Sequence, residues 1–365
     1  MNNIVSELKV STPGRVCLFG EHQDYLNLPI IASAISLRIS IQGRKRDDSK
    51  VIVHLPDINY EESFSLDKPI IYDKERDYLK SVVNVLKSHG LVFSKGVECV
   101  VIGEIPINAG TSSSSALIVT WVNFMARMSD QPINLSPESI AQYAYEAEVL
   151  EFSEPGGMMD QYSTSVGGII FLDSYPQVSV MQLDAKLGNL VLGNSGEPKD
   201  TKFILSRVKN QIQRAVKELQ KSNPDFSLRT ISESGIDNFS GVLTGEQVEL
   251  LHGTIKNRDI TMQALDVLNA DSLDHMLIGN LMNRHQNVLR EILKISTPKI
   301  DRMIEAALKA GAYGAKINGS GGGGCMFAYV PENPEKVKNA IEKEGGEAYI
   351  LEVAEGSLAS VTEAV

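Results

Sequence analysis

The stretch from Leu117 to Met128 is apolar and holds neither glycine nor proline, so as a helix it has almost no polar face to turn to water. It has to be buried, and the rest of the fold must wrap around it. Its first turn is a run of hydroxyls, Thr111-Ser112-Ser113-Ser114-Ser115, entered through Pro106-Ile107-Asn108-Ala109-Gly110. Free backbone N–H groups at a helix start, small side chains and hydroxyls make an anion site, and a serine hydroxyl can join a magnesium shell. A plain capped helix terminus is the simpler reading of the same residues. No GxxxxGK[ST] pattern occurs, so a phosphate held here is held without the lysine of a Walker loop.

Strands and helices surround this helix without regular alternation. Ile35, Leu37, Ile39 and Ile41 alternate with polar residues, which predicts a half-buried strand; Val51 to Leu55 and Val97 to Ile102 read as two more. Asp77 to His89, closed by Gly90, has helical spacing, and Ser136-Pro137-Glu138 opens a helix expected to run to about Phe152. Gly167 to Asp173 reads as a turn into a strand. Beyond about residue 185 the texture becomes more helical, over Lys202 to Leu219, Gly245 to Ile255 and Ser272 to Leu293. Ala315 to Val330 is a glycine-rich loop running into an apolar strand, followed by a helix over Pro334 to Glu344 and a strand around Tyr349 to Val353. This mixture predicts an α+β fold in two domains, residues 1–185 and 186–365.

Three further sites concentrate chemistry. Pro13-Gly14-Arg15-Val16-Cys17-Leu18-Phe19-Gly20 is an apolar strand core, and Glu21, His22, Asp24 and Tyr25 follow it at once, a density of hydrogen-bonding groups that suits a polyhydroxylated ligand. Asp160 is a carboxylate in an otherwise apolar, flexible loop, Gly156-Gly157-Met158-Met159. Lys316-Ile317-Asn318-Gly319-Ser320-Gly321-Gly322-Gly323-Gly324-Cys325 lets a backbone approach a phosphate or another segment closely. On the helix from Pro137, Ile140, Ala144 and Ala147 form the inner stripe; Glu148 falls at its edge, Glu146 points away, and Glu151 lies nearer the middle if the helix continues. Spacing leaves Glu148 and Glu151 as rivals.

Charge narrows the partners. Thirty-five basic residues against 46 acidic ones give −11, which excludes a broad basic footprint for nucleic acid or an anionic membrane. A polyanion would need a local device. Cys17, Cys99 and Cys325 are widely spaced and lack metal-site spacing, so they are expected as core residues in a reducing cytoplasm. With no leader pattern at the start and no apolar run of membrane length, a soluble cytoplasmic protein, monomer or homodimer, is expected.

Taken in order, these segments resemble the galactokinase, homoserine, mevalonate and phosphomevalonate kinase (GHMP) superfamily over nearly the whole chain. Arg15, Asp24 and Met159-Asp160-Gln161 look most like galactokinase-type sugar kinases, while Leu281-Met282-Asn283, Ser296-Thr297-Pro298 and Gly314-Ala315-Lys316 are similar to both galactokinases and mevalonate kinases and slightly closer to mevalonate kinases. The resemblance implies a two-domain fold with the active site in the cleft between the domains. It implies an enzyme that transfers the γ-phosphoryl group of ATP to a sugar hydroxyl, most simply the anomeric one, with Mg²⁺. Another sugar 1-kinase, a mevalonate kinase and a non-catalytic sugar and ATP sensor are the alternatives. Carried over, it makes Asp160 the catalytic carboxylate and Arg15 its partner. Glu21, His22 and Asp24 would bind sugar hydroxyls, and Asn108, Ala109, Gly110, Thr111, Ser112, Ser113 and Ser114 would wrap the triphosphate. Ser114 and Glu148 would hold the metal, Glu148 being preferred over Glu151 for its distance from Asp160. Three departures stand out: Phe203 where galactokinases usually place a tyrosine, Asn108 for a common glycine, and Ser115 for a common alanine.

Overall fold

The computed structural model describes residues 6–107, 109–198, 201–239 and 241–363. The first sheet takes the first seven strands: β1 (Ser6–Phe19), β2 (Ile30–Lys45), β3 (Lys50–Leu55), β4 (Tyr60–Ser65), β5 (Val97–Gly103), β6 (Ile169–Asp173) and β7 (Ser179–Leu183). The second is a four-stranded antiparallel sheet of β8 (Leu190–Asn194), β9 (Gly314–Ile317), β10 (Cys325–Tyr329) and β11 (Glu347–Leu351), in the order β11-β8-β10-β9. The last strand, β12 (Leu358–Glu363), returns to the first sheet and pairs with β1, giving the order β12-β1-β2-β5-β3-β4 with β6 on β2 and β7 on β6. Strands β1–β7 thus precede residue 185 and β8–β11 come after it, while β12 crosses back; a division at 185 has to return Leu358–Glu363 to the first lobe.

The register of β1 on β2 is what aims the site. Leu8 to Pro13 pair evenly with Gly43 to Arg38, and then the pairing slips so that Arg15 faces Ala34. Such an irregularity bends a strand and re-aims its side chains. Here the Arg15 backbone N–H donates to Thr111 O at 3.2 Å, tying the strand to the loop before α2.

Helices α1 (Tyr78–Ser88), α2 (Ser113–Met128), α3 (Pro137–Tyr145) and α4 (Met159–Val166) gather on the first sheet, with α2 against β1 and β2. As its sequence requires, α2 is enclosed: Trp121, Phe124 and Met125 are fully buried, and Trp121 Nε1 donates to Leu79 O at 2.9 Å. Helices α5 (Thr201–Ser222), α6 (Glu233–Ile236), α7 (Gly245–Leu268), α8 (His275–Asn287), α9 (Pro298–Lys309) and α10 (Pro334–Lys343) belong to the second lobe. Its core runs without a break into Val16, Leu18, Phe19 and Ile31 of the first, so the lobes share apolar packing beneath the cleft. The three cysteines are buried, and among the described residues none is in a disulfide. Among the described residues, no helix is long and apolar enough to cross a membrane.

Two expectations are corrected. The helix from Pro137 does not run as an α-helix to Phe152: α3 stops at Tyr145 and continues as a π turn, Glu146–Leu150, closed by the Glu151 N–H on Glu146 O at 2.9 Å. Asp160 is not in a loop but in the first turn of α4, where the positive end of the helix favours a carboxylate.

Candidate active site

A cavity of about 270 Å³ opens between the lobes, walled by the end of β1, the start of α2, the π turn, the start of α4 and the glycine loop. On its floor Arg15, 4% exposed, meets Asp160. The guanidinium Nε donates to Asp160 Oδ1 at 2.8 Å, Nη2 lies at 2.8 Å from the same oxygen, and Nη1 donates to Gly110 O at 2.5 Å. One arginine therefore orients the carboxylate and anchors the loop before α2. Asp160 remains 31% exposed on the cleft side, which leaves it able to meet a ligand.

The start of α2 is not a side-chain-capped terminus. Ser112 takes a left-handed conformation with φ 61°, its hydroxyl makes no capping bond, and the first intrahelical bond runs from Ala116 N–H to Ser112 O. The N–H groups of the preceding turn have no helical acceptor, which is the condition for anion binding at a helix start. The buried hydroxyls of Thr111 and Ser112 have no partner among the described residues. Of the residues predicted to wrap a triphosphate, Gly110, Ser112, Ser113 and Ser114 line the cavity, Ala109 and Thr111 are buried beside it, and Asn108 lies outside the described residues.

The π turn sends the two glutamates to different surroundings. It takes up an extra residue and rotates the next part of the chain off the α-helical phase. Glu151 is carried to the surface, where Tyr72 donates to it at 2.6 Å. Glu148, 7% exposed, faces the cavity; Ser114 and Ser115 donate to Oε1 at 3.1 and 3.0 Å, and Gln161 donates to Oε2 at 2.6 Å. Burial raises its pKa to about 7 against the pull of the Gln161 bond. Ser114 Oγ and Glu148 Oε1 form a hard-oxygen pair of the kind Mg²⁺ accepts when phosphates and waters complete its shell.

At the end of β1 the three candidate sugar ligands separate. Asp24 faces the cavity half-buried, accepting from the Tyr25 N–H at 2.9 Å and the Met159 N–H at 3.3 Å. Gly157 packs beneath it with no room for a Cβ. Desolvation, then the nearby Asp160 charge, raises the pKa of Asp24 to about 6. The His22 ring is engaged at both nitrogens, with Tyr25 Oη at 2.7 Å and Ser320 O at 3.1 Å, and burial lowers its pKa to about 4, so it is neutral. Glu21 is 1% exposed: Oε1 accepts from the Gly319 N–H at 2.7 Å and Oε2 is paired with Lys316. All three line the cavity, and Asp24 is the least buried of them.

Reading the sequence missed the second partners. Ser115 and Gln161 hold Glu148, Asn318 Nδ2 donates to Gly110 O at 2.9 Å, and Lys316 is the counter-ion of Glu21. A lysine inside an apolar strand was the available signal for the last.

Three family models match the chain. The GHMP kinases N terminal domain matches residues 77–168, the GHMP kinases C terminal matches 265–347, and the galactokinase galactose-binding signature matches 5–45. The chain belongs to the GHMP kinase family, whose members are phosphotransferases using ATP on small molecules. Within it the relatives divide. A galactokinase of Mannheimia succiniciproducens is 28% identical over 360 residues, covering 93% of this chain and 89% of the relative. A mevalonate kinase of Pyrococcus abyssi is 29% identical over 359 residues, covering 95% and 96%. In fold, Lactococcus lactis galactokinase complexed with galactose matches with a TM-score of 0.85 at 24% identity, over 96% of this chain and 95% of that one. Methanococcus jannaschii mevalonate kinase matches with 0.72 at 18%, over 95% and 98%.

Proposed function

We propose that this protein is an ATP- and Mg²⁺-dependent sugar kinase of galactokinase type, phosphorylating the anomeric hydroxyl of galactose or a related sugar. The observation that carries the reading is the junction at the start of α4. Met159 N–H binds Asp24, the open carboxylate of the galactose-binding signature, and the next residue is Asp160, paired with Arg15 at 2.8 Å. Carboxylates accept from vicinal hydroxyls, so Asp24 suits a polyol and places the reacting hydroxyl beside Asp160.

Phosphoryl transfer asks mainly for positioning and for neutralisation of charge. The N–H groups at the start of α2, with the unpartnered Ser112 hydroxyl, would receive the phosphates, and Ser114 with Glu148 would hold Mg²⁺. When bound, the metal supplies positive charge against the phosphate oxygens. Asp160 orients the sugar hydroxyl and accepts its proton; Arg15 fixes Asp160 through one edge of its guanidinium and Gly110 through another. Ser115 and Gln161 keep the Glu148 carboxylate in one orientation. The test is turnover with ATP across a panel of aldohexoses, their epimers and mevalonate. A galacto-sugar is expected to show the highest kcat/KM, and phosphorylation of mevalonate alone overturns the sugar reading.

A further inference from the structure

The turn that carries Asp24, a single 3₁₀ turn over Asp24–Leu26, is gripped from the second lobe at both flanks. At one flank stands Lys209 of α5, whose ammonium group donates to Pro155 O at 2.8 Å and lies 5.4 Å from the Tyr25 ring centre. Pro155 opens the segment that leads into α4, and two residues on Gly157 packs against the Asp24 carboxylate with no room for a Cβ. At the other flank is Arg229, in the connection between α5 and α6. Its Nη1 donates to Asn27 O at 2.6 Å and to Asp173 Oδ1 at 2.9 Å, and its Nη2 donates to Asp173 Oδ2 at 2.6 Å, at the end of β6. Asn27 closes the turn in a left-handed conformation, φ 58°, with its N–H on Asp24 O at 3.1 Å. Between the two cations Leu26 packs on the core that the lobes share. Lys209 and Arg229 themselves stand outside the cavity lining.

We infer that Lys209 and Arg229 are positioning residues: two cations of the second lobe that seat the Asp24 turn against the start of α4, and so fix the gap between Asp24 and Asp160. The inference rests on the sugar-kinase reading for its kinetic consequence. It makes the acceptor end of the cleft a composite, in which the first lobe supplies the carboxylates and the second holds them in place. Exposed ion pairs by themselves are worth little, but these cations fix main chain. Lys209 binds a backbone carbonyl and adds a cation–π attraction to Tyr25. Arg229 serves a carboxylate through its planar fork and a carbonyl as well, a geometry that the point charge of a lysine does not reproduce.

The Met159 N–H spans the gap, donating to Asp24 Oδ2 at 3.3 Å, so its hydrogen exchange in the unliganded protein reads the seat without any substrate. Lys209→Met is expected to speed exchange at Met159 by roughly 10-fold and to leave β10 unchanged. Lys209→Arg keeps a donor and a cation over the ring, and is expected to stay within about twofold of wild type. Arg229→Met is made together with Asp173→Asn, so that no carboxylate is left unpaired, and should match Lys209→Met; Arg229→Lys should not rescue. Where the Arg229 variants do not fold, the Lys209 series decides. In steady state with the best sugar of the panel, kcat/KM for the sugar is expected to fall roughly 10-fold in Lys209→Met, with KM for ATP within about twofold. In an Asp24→Asn background the same substitution should lose most of that effect, because it acts through the Asp24 turn. Unchanged Met159 exchange overturns the inference. So does a sugar kcat/KM that holds at the wild-type value, or one whose fall is matched by an equal rise in KM for ATP, the sign of a cleft loosened as a whole. A wild type that turns over no sugar sinks the kinase reading instead, and Met159 exchange then judges the grip alone.

Discussion

Two ion pairs leave the end of β1, Arg15 with Asp160 and Glu21 with Lys316, and their surroundings give them opposite uses. Asp160 keeps 31% of its side chain exposed to the cleft, while Glu21 and Lys316 keep 1% and 0%. A carboxylate with an open side can meet a hydroxyl directly; Glu21, at the cavity wall, already has both oxygens engaged by Lys316 and Gly319 N–H. The arginine of the open pair is buried at 4%, so its charge is directed at Asp160 rather than screened by water. Residue type does not separate the pairs. Exposure does.

The largest effect should come from Asp160→Asn, which keeps an acceptor for Arg15 and removes the proton acceptor. A loss of about 10²- to 10⁴-fold in kcat is expected, with a stability loss smaller than at the closed pair because Asp160 is open to water on its cleft side, checked by steady-state kinetics beside urea denaturation. The closed pair should behave in reverse: Glu21→Gln or Lys316→Met leaves a buried charge alone and should cost about 3–5 kcal/mol in the same denaturation experiment. Equal stability losses at Asp160 and Glu21 would erase the distinction. A smaller effect is expected at the metal pair, where Ser114→Ala and Glu148→Gln should each raise the Mg²⁺ needed for half-maximal activity by roughly 10-fold or more. A metal titration that neither substitution moves would remove those residues from the role.

The smallest effect is a pH limb. Asp24, raised to about 6, is ionised and an acceptor above that pH and takes a proton below it. The sugar kcat/KM should therefore fall as pH drops through about 6, and Asp24→Asn, which cannot titrate, should lack that limb. A pH profile of the variant that keeps the same inflection would assign it elsewhere.

Range along the chain decides how much of this was legible. The buried helix α2 and its hydroxyl start announce themselves because both are local patterns, and so does Ser136 as the cap of α3, accepting from Ser139 N–H at 3.2 Å. The choice of Glu148 over Glu151 was not local: a π turn changes the helical phase, and nothing in periodicity marks where a turn widens. Asp160 read as a loop residue because Gly156-Gly157-Met158-Met159 carries no helical repeat, yet α4 begins at Met159. The Glu21–Lys316 pairing spans 295 positions, beyond any spacing argument. The return of β12 to β1 is likewise a contact between the chain's two ends. Phe203, the departure that bears most on galactose itself, has its side chain outside the described residues.

The central claim is that the open pair at the start of α4 directs a phosphoryl group from ATP to the anomeric oxygen of a sugar. Phosphorus and carbon NMR of the wild-type reaction, run with the best sugar of the panel, locates the new phosphate. The account predicts a single product carrying phosphate on the anomeric carbon, with one ADP formed for each sugar consumed. Phosphate on another carbon, or ADP released with inorganic phosphate and no sugar phosphate, would contradict it.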